Sequence, residues 1–144
     1  MNAPFHPALR AASLLAINLL FLMVWGFSAI DKVRNGVPAW FGEKFGPTIL
    51  GKFPGITASF WLLTAAELLA FVLAIVALFR LEFLERRSPT LLAATAVASL
   101  FVFVQLGFGN WLISEFNATH QHFMYFSGTL IALGFVVPGL KSPR

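Results

Sequence analysis

Long apolar runs alternate along the chain with short polar or Gly/Pro-rich segments. Ala8 to Ile30, Gly55 to Phe79, Thr90 to Ser114 and His120 to Pro138 each approach the roughly 20 residues that a helix needs to cross about 30 Å of hydrocarbon. The pattern predicts an all-α integral membrane protein, a single-domain antiparallel four-transmembrane-helix bundle. Its one sizeable connection, Asp31 to Pro54, lies between the first two spans. That stretch cannot be one helix, because Gly36, Pro38, Gly42, Gly46, Pro47 and Gly51 interrupt it. Trp40, Phe41, Phe45, Ile49, Leu50 and Phe53 make it apolar enough to lie in the interface or to cap the mouth of the bundle. The turn around Glu115 to Thr119 is short, which makes the third and fourth spans antiparallel neighbours.

Glu67 interrupts this pattern near the middle of the second run. A carboxylate at that depth costs about 3 kcal/mol on insertion scales, so it is expected to face protein or water and to mark a functional site. Helical neighbours fall three and four residues apart, which puts Thr64, Ala70 and Ala74 on the Glu67 stripe. Such small residues let helices approach closely. Comparable stripes run through Ala94, Ala98, Gln105 and Gly109 on the third span, and through His122, Tyr125, Gly128, Thr129 and Ala132 on the fourth. On the first, Asn18 is expected at the depth of Glu67, with Ala11, Trp25 and Ala29 close to its stripe. Asn18 and Gln105 suit either interhelical hydrogen bonds or ligand contacts. Burial disfavours the charged form of a carboxyl. With no cation at its depth, Glu67 is expected to be a neutral acid, donating to Asn18, Gln105 or a ligand carbonyl. Lys32 and Arg34 flank the far end of the first span, so a salt bridge to Glu67 would need marked tilt or a deep lysine.

Composition narrows the chemistry. The chain is 58% hydrophobic and 11% charged, with a mean hydropathy of +0.81, which excludes an ordinary soluble domain. The first run is too long for a signal-peptide core and three more follow, so it is expected to be retained. With no cysteine, disulfides, thiolate nucleophiles and iron–sulfur clusters are excluded. His120 and His122 point about 200° apart on a helix, and His6 belongs to the other side, so neither a metal nor a haem is expected. No catalytic Ser-His-Asp set, phosphate loop, dinucleotide fingerprint or nucleic-acid motif is present.

The net charge of +4 comes from scattered residues, which favours anionic lipid as a partner. The loop Arg80 to Pro89 pairs signs at helical spacing and reads as a solvated turn. Arg10, Arg80, Arg86, Arg87, Lys141 and Arg144 fall on one side, against Lys32, Arg34, Lys44 and Lys52 on the other. The positive-inside rule then makes the termini cytoplasmic, in the inner membrane. Trp25, Trp40, Trp61, Trp111 and Tyr125 gather near the opposite side, either as an aromatic belt or as a ligand-stacking cluster. Trp61, Trp111, Tyr125, His122 and Lys32 therefore join Asn18 and Gln105 as candidate ligand contacts.

Two segments carry a family resemblance. A first helix ending Gly26-Phe27-Ser28-Ala29-Ile30-Asp31-Lys32, a Gly/Pro-rich aromatic loop, and a second helix containing Thr64-Ala65-Ala66-Glu67-Leu68-Leu69 together resemble the DoxX-like membrane proteins. The likeness covers all four spans in architecture and rests in detail on Lys32, Glu67 and a few small residues. It implies a small four-helix subunit associated with a membrane redox protein, in some members through quinone-linked oxidation of sulfur compounds. A quinone is then the expected ligand, with Glu67 as proton donor or acceptor. Two other readings compete: a purely structural subunit of a larger complex, and a small proton-coupled transporter using one membrane glutamate.

Overall fold

The computed structural model describes residues 6–84 and 86–139, so Glu85, Lys141 and Arg144 lie outside the described residues. The described chain is all-helical. Its elements are α1 (Pro7–Asn35), α2 (Ala39–Phe45), α3 (Ile49–Lys52), α4 (Ile56–Phe79), α5 (Thr90–Leu112) and α6 (Phe116–Val136), followed by a short 3-10 turn. Three of them, α1, α4 and α5, are long and apolar enough to cross a membrane, which marks a multi-pass membrane protein. The fourth long helix, α6, starts earlier than the apolar pattern suggests. Its first turns carry Asn117, Thr119, His120, Gln121 and His122, and it is not among the helices apolar enough to cross a membrane by composition.

The first helix also runs beyond its apolar stretch. Pro7 opens α1 at a position where its missing N–H costs nothing, and the helix continues through Asp31, Lys32 and Arg34 to end at Gly36, whose φ is 68°. Lys32 and Arg34 sit in the last turn, where the helix dipole favours cations. Lys32 is therefore part of the helix rather than of the connecting loop. This extension positions the site.

α1 packs on α4, α4 on α5, and α5 on α6. The core is contributed by Leu14, Phe21 and Trp25 of α1, Ala70, Ala74 and Ala77 of α4, and Leu92, Ala96, Val102 and Phe103 of α5. Small side chains on α4 bring the helices close. A Cβ added at Gly26 would lie 2.7 Å from the Phe71 ring, so α1 and α4 meet there over a bare backbone. Large apolar side chains such as Leu20, Phe27, Leu62, Leu69, Phe101 and Ile131 point outward, as expected of faces solvated by lipid rather than water.

The connection between α1 and α4 forms a cap. Phe41 and Phe45 of α2 pack on Phe60 of α4, with Leu50, Ile56 and Ile113 around them. Phe45 also rests on Gly109, where an added Cβ would be 3.6 Å from the ring. Lys44 reaches Glu115 at 3.6 Å across to the α5–α6 turn. At this end of the molecule Lys32, Arg34, Lys44 and Lys52 are matched by Asp31, Glu43, Glu67 and Glu115, so the net charge of +4 falls on the rest of the chain.

The α4–α5 turn corrects a sequence expectation. Glu82 is not a solvated member of an alternating-charge loop. It is buried, and its Oε2 accepts the Leu91 and Leu92 N–H groups at 2.8 and 3.0 Å. Pro89, at the N-cap of α5, makes no side-chain cap bond, so a carboxylate from the preceding turn satisfies the free donors and complements the dipole. Leu81, with φ 54°, makes the bend that turns Glu82 inward.

Candidate functional site

The charged centre lies between α1 and α4. Lys32 Nζ donates to both Glu67 carboxylate oxygens, at 2.6 and 2.7 Å, and to Ser28 Oγ at 2.8 Å. Ser28 Oγ donates in turn to Glu67 Oε2 at 2.8 Å. All three ammonium protons are thus engaged, and both carboxylate oxygens are satisfied. The Glu67 side chain is 1% exposed and that of Lys32 21%. This overturns the expectation that no cation lies within reach of Glu67. Side chains on a helix lean toward its N-terminus, so Lys32, one turn after Ser28, reaches back along α1 to the middle of α4. The deep lysine that the apolar pattern disfavoured is what the fold contains.

The other polar residues do not gather round Glu67. Asn18 is fully buried, but its amide N–H donates to the Ala74 carbonyl at 3.0 Å and its oxygen accepts the Leu78 N–H at 3.2 Å, in the orientation that satisfies both groups. These partners lie roughly 10–16 Å along α4 from Glu67, so Asn18 is not at the depth of Glu67. Gln105 is exposed. The inward face of α5 is instead formed by Leu92, Thr95, Ala96, Ser99, Val102 and Phe103. Ala94 and Ala98 are only partly buried, though Gly109 does face inward.

The aromatic residues divide. Trp25, expected in the interfacial belt, is 2% exposed. Its Nε1–H donates to Ser99 Oγ at 2.7 Å and its ring lies 5.1 Å from that of Phe103. Trp40, Trp61 and Trp111 are exposed. Trp61 meets Phe60 edge-on at 5.5 Å, and neither Trp61 nor Trp111 is brought to Glu67 by any described contact. His122 and Tyr125 do come together, with ring centroids 6.0 Å apart and both rings near Phe103. His122 Nδ1 lies 2.7 Å from the Ala118 carbonyl, which assigns the proton to Nδ1, and 3.4 Å from Asn110 Nδ2. This group belongs to α5 and α6. Among the described residues, no hydrogen bond joins it to the Lys32 centre.

Two open depressions adjoin these features. One of about 560 Å³ is lined by Phe27, Ser28, Ile30, Asp31 and Arg34, so Ser28 lies between it and the ion pair. The other, about 480 Å³, separates Lys44, Pro47 and Thr48 of the cap from Leu112 to Glu115. Among the described residues, no three histidine or acidic side chains are grouped to hold a metal ion.

Sequence reasoning missed Ser28, Ser99 and Glu82. Ser28 had a readable signal, since it precedes Lys32 by one helical turn on the segment that carries the family resemblance. Ser99 and Glu82 had none, because each depends on a partner from another element. The fold and the site together define a small helical multi-pass membrane protein built around an internal ion pair. The chain matches no known family model, no characterised protein and no solved structure.

Proposed function

We propose that this chain is a DoxX-like accessory subunit of a membrane-associated oxidoreductase, in which the Lys32–Glu67 pair fixes α1 against α4. In this reading α6 is a fourth span, the four long helices alternate in direction across the inner membrane, and the termini and the α4–α5 turn are cytoplasmic. One observation carries the reading. Lys32 and Glu67, the two positions on which the family resemblance rests in detail, are far apart in sequence and lie 2.6 Å apart in space. A pair with every donor and acceptor engaged suits a constant structural role better than a catalytic one.

The quinone-handling version rested on Asn18 and Gln105 gathering round Glu67, and their separation withdraws that support. The transporter reading needs a glutamate free to load and release protons, whereas this one is held by Lys32 and Ser28. The test is purification of the full chain from native membranes in mild detergent. A stoichiometric redox protein with its cofactor absorbance is expected to accompany it, and to be lost in Lys32→Met. If the chain elutes alone and deleting it leaves quinone-linked oxidation rates of the membranes unchanged, the accessory reading is overturned.

A further inference from the structure

The two ends of the molecule differ in charge. The cap end is balanced, so the whole net charge of +4 lies elsewhere in the chain, and its largest described group is on the α4–α5 turn. Arg80, Arg86 and Arg87 are exposed there, and among the described residues none of them has an ion-pair partner. Glu82 does not neutralise them, because it is buried and its carboxylate is engaged by the start of α5. Beside the arginines stand Phe79, Leu81 and Leu84, exposed by 81, 44 and 43%.

We propose that this turn is a docking surface for anionic phospholipid. Guanidinium groups bind phosphate oxygens in bidentate fashion and are weakly hydrated, which suits the headgroup level. The three apolar side chains explain why the partner is lipid rather than an acidic protein or free phosphate. Acyl chains cover them at the moment the arginines meet phosphate, whereas a purely ionic partner leaves them wet. Arg10 adds to the same end. The contact of Asn18 with Ala74 and Leu78 sets the start of α1 beside the end of α4. The inward turn of Glu82 thus caps α5 and leaves the exposed charges among the described residues of the turn with one sign.

The test uses the full-length protein in neutral detergent, with phosphatidylglycerol, phosphatidylcholine or inorganic phosphate added at equal phosphate concentration. Lipid retention is read by native mass spectrometry and stabilisation by Tm. Phosphatidylglycerol is expected to be retained and to raise Tm, and the other two are not. Arg86→Gln and Arg87→Gln are each expected to weaken phosphatidylglycerol binding about fivefold, with unchanged far-UV circular dichroism, and the triple variant with Arg80→Gln further still. Lys52→Gln, at the balanced end, is expected to change nothing. Equal retention of both lipids, stabilisation by inorganic phosphate alone, or wild-type affinity in the arginine variants would each overturn the proposal.

Discussion

Removing one member of the Lys32–Glu67 pair should cost far more than removing both. Lys32→Met leaves the Glu67 carboxylate, 1% exposed, with Ser28 as its one remaining side-chain partner. Orphaning a buried charge in this way costs about 3–5 kcal/mol. Glu67→Leu leaves an ammonium that is already 21% exposed and sits in the last turn of α1, where a flexible lysine can swing outward. That loss should be smaller, about 2 kcal/mol, since one charge-assisted partner is removed and the group is not trapped. The double variant Lys32→Met/Glu67→Leu replaces the pair by apolar side chains, a change that is often neutral. It should lose less than Glu67→Leu, under about 2 kcal/mol, so the coupling energy is at least about 3 kcal/mol, the upper end for residues in direct contact.

The assay is reversible unfolding by a denaturing detergent in mixed micelles, followed by far-UV circular dichroism and by the fluorescence of the buried Trp25. The order of stabilities matters as much as their size: wild type, then the double variant, then Glu67→Leu, then Lys32→Met. Additive losses in the double variant would show that the two side chains do not share their energy. A Lys32→Met loss below about 1 kcal/mol would show that Glu67 does not depend on the ammonium, and would refute the reasoning outright.

Asn18→Leu removes two bonds to the α4 backbone and is expected to cost about 0.6–2 kcal/mol, whereas Gln105→Leu, on an exposed face, should stay within about 0.5 kcal/mol of wild type; the same unfolding assay distinguishes them. Gly26→Ala places a methyl 2.7 Å from the Phe71 ring and should cost about 1–3 kcal/mol by overpacking. Combining it with Phe71→Leu should recover most of that loss, and failure to recover would mean the close approach is not where the strain falls. Glu82→Ala removes the acceptor for two α5 N–H groups and should lower stability by about 1–3 kcal/mol. Hydrogen exchange should quicken specifically at Leu91 and Leu92, and unchanged protection there would count against the cap.

The α4 stripe was readable because period and chemistry coincide: Thr64, Glu67, Ala70 and Ala74 repeat at helical spacing and all are buried. On α5 the same reasoning chose the wrong face. The helix carries Ala93, Ala94, Ala96 and Ala98, so two stripes look equally small, and the choice is made by Leu92, Ser99 and Phe103 meeting partners on other helices. The cap residues Phe41 and Phe45 were recognisable as apolar in a loop, but the hydrophobic pattern does not reveal that they close over Phe60 and Gly109. Lys32 was misplaced because hydropathy marks where a helix leaves the apolar medium, not where it stops being a helix. α1 runs on to Asn35, and that extra turn carries the lysine within reach of Glu67.

What the sequence presents as a lone membrane carboxylate is in the fold one of several fixings between α1 and α4. Asn18 holds α1 to the backbone of α4 near Ala74, Gly26 lets it press against Phe71, and Lys32 ties its last turn to Glu67. A helix fixed at separate levels along its length cannot slide or tilt on its neighbour without breaking buried polar bonds. Glu67 itself has no exposed edge, and its contacts beyond α4 are made through Ser28 and Lys32. Any proton or ligand that is to reach the carboxylate must therefore pass the Ser28 hydroxyl or displace the lysine. Lys32, with 21% of its side chain exposed against 1% for Glu67, is the member of the pair that is open to the surroundings, so the lysine rather than the glutamate is the charge that can be reached from outside.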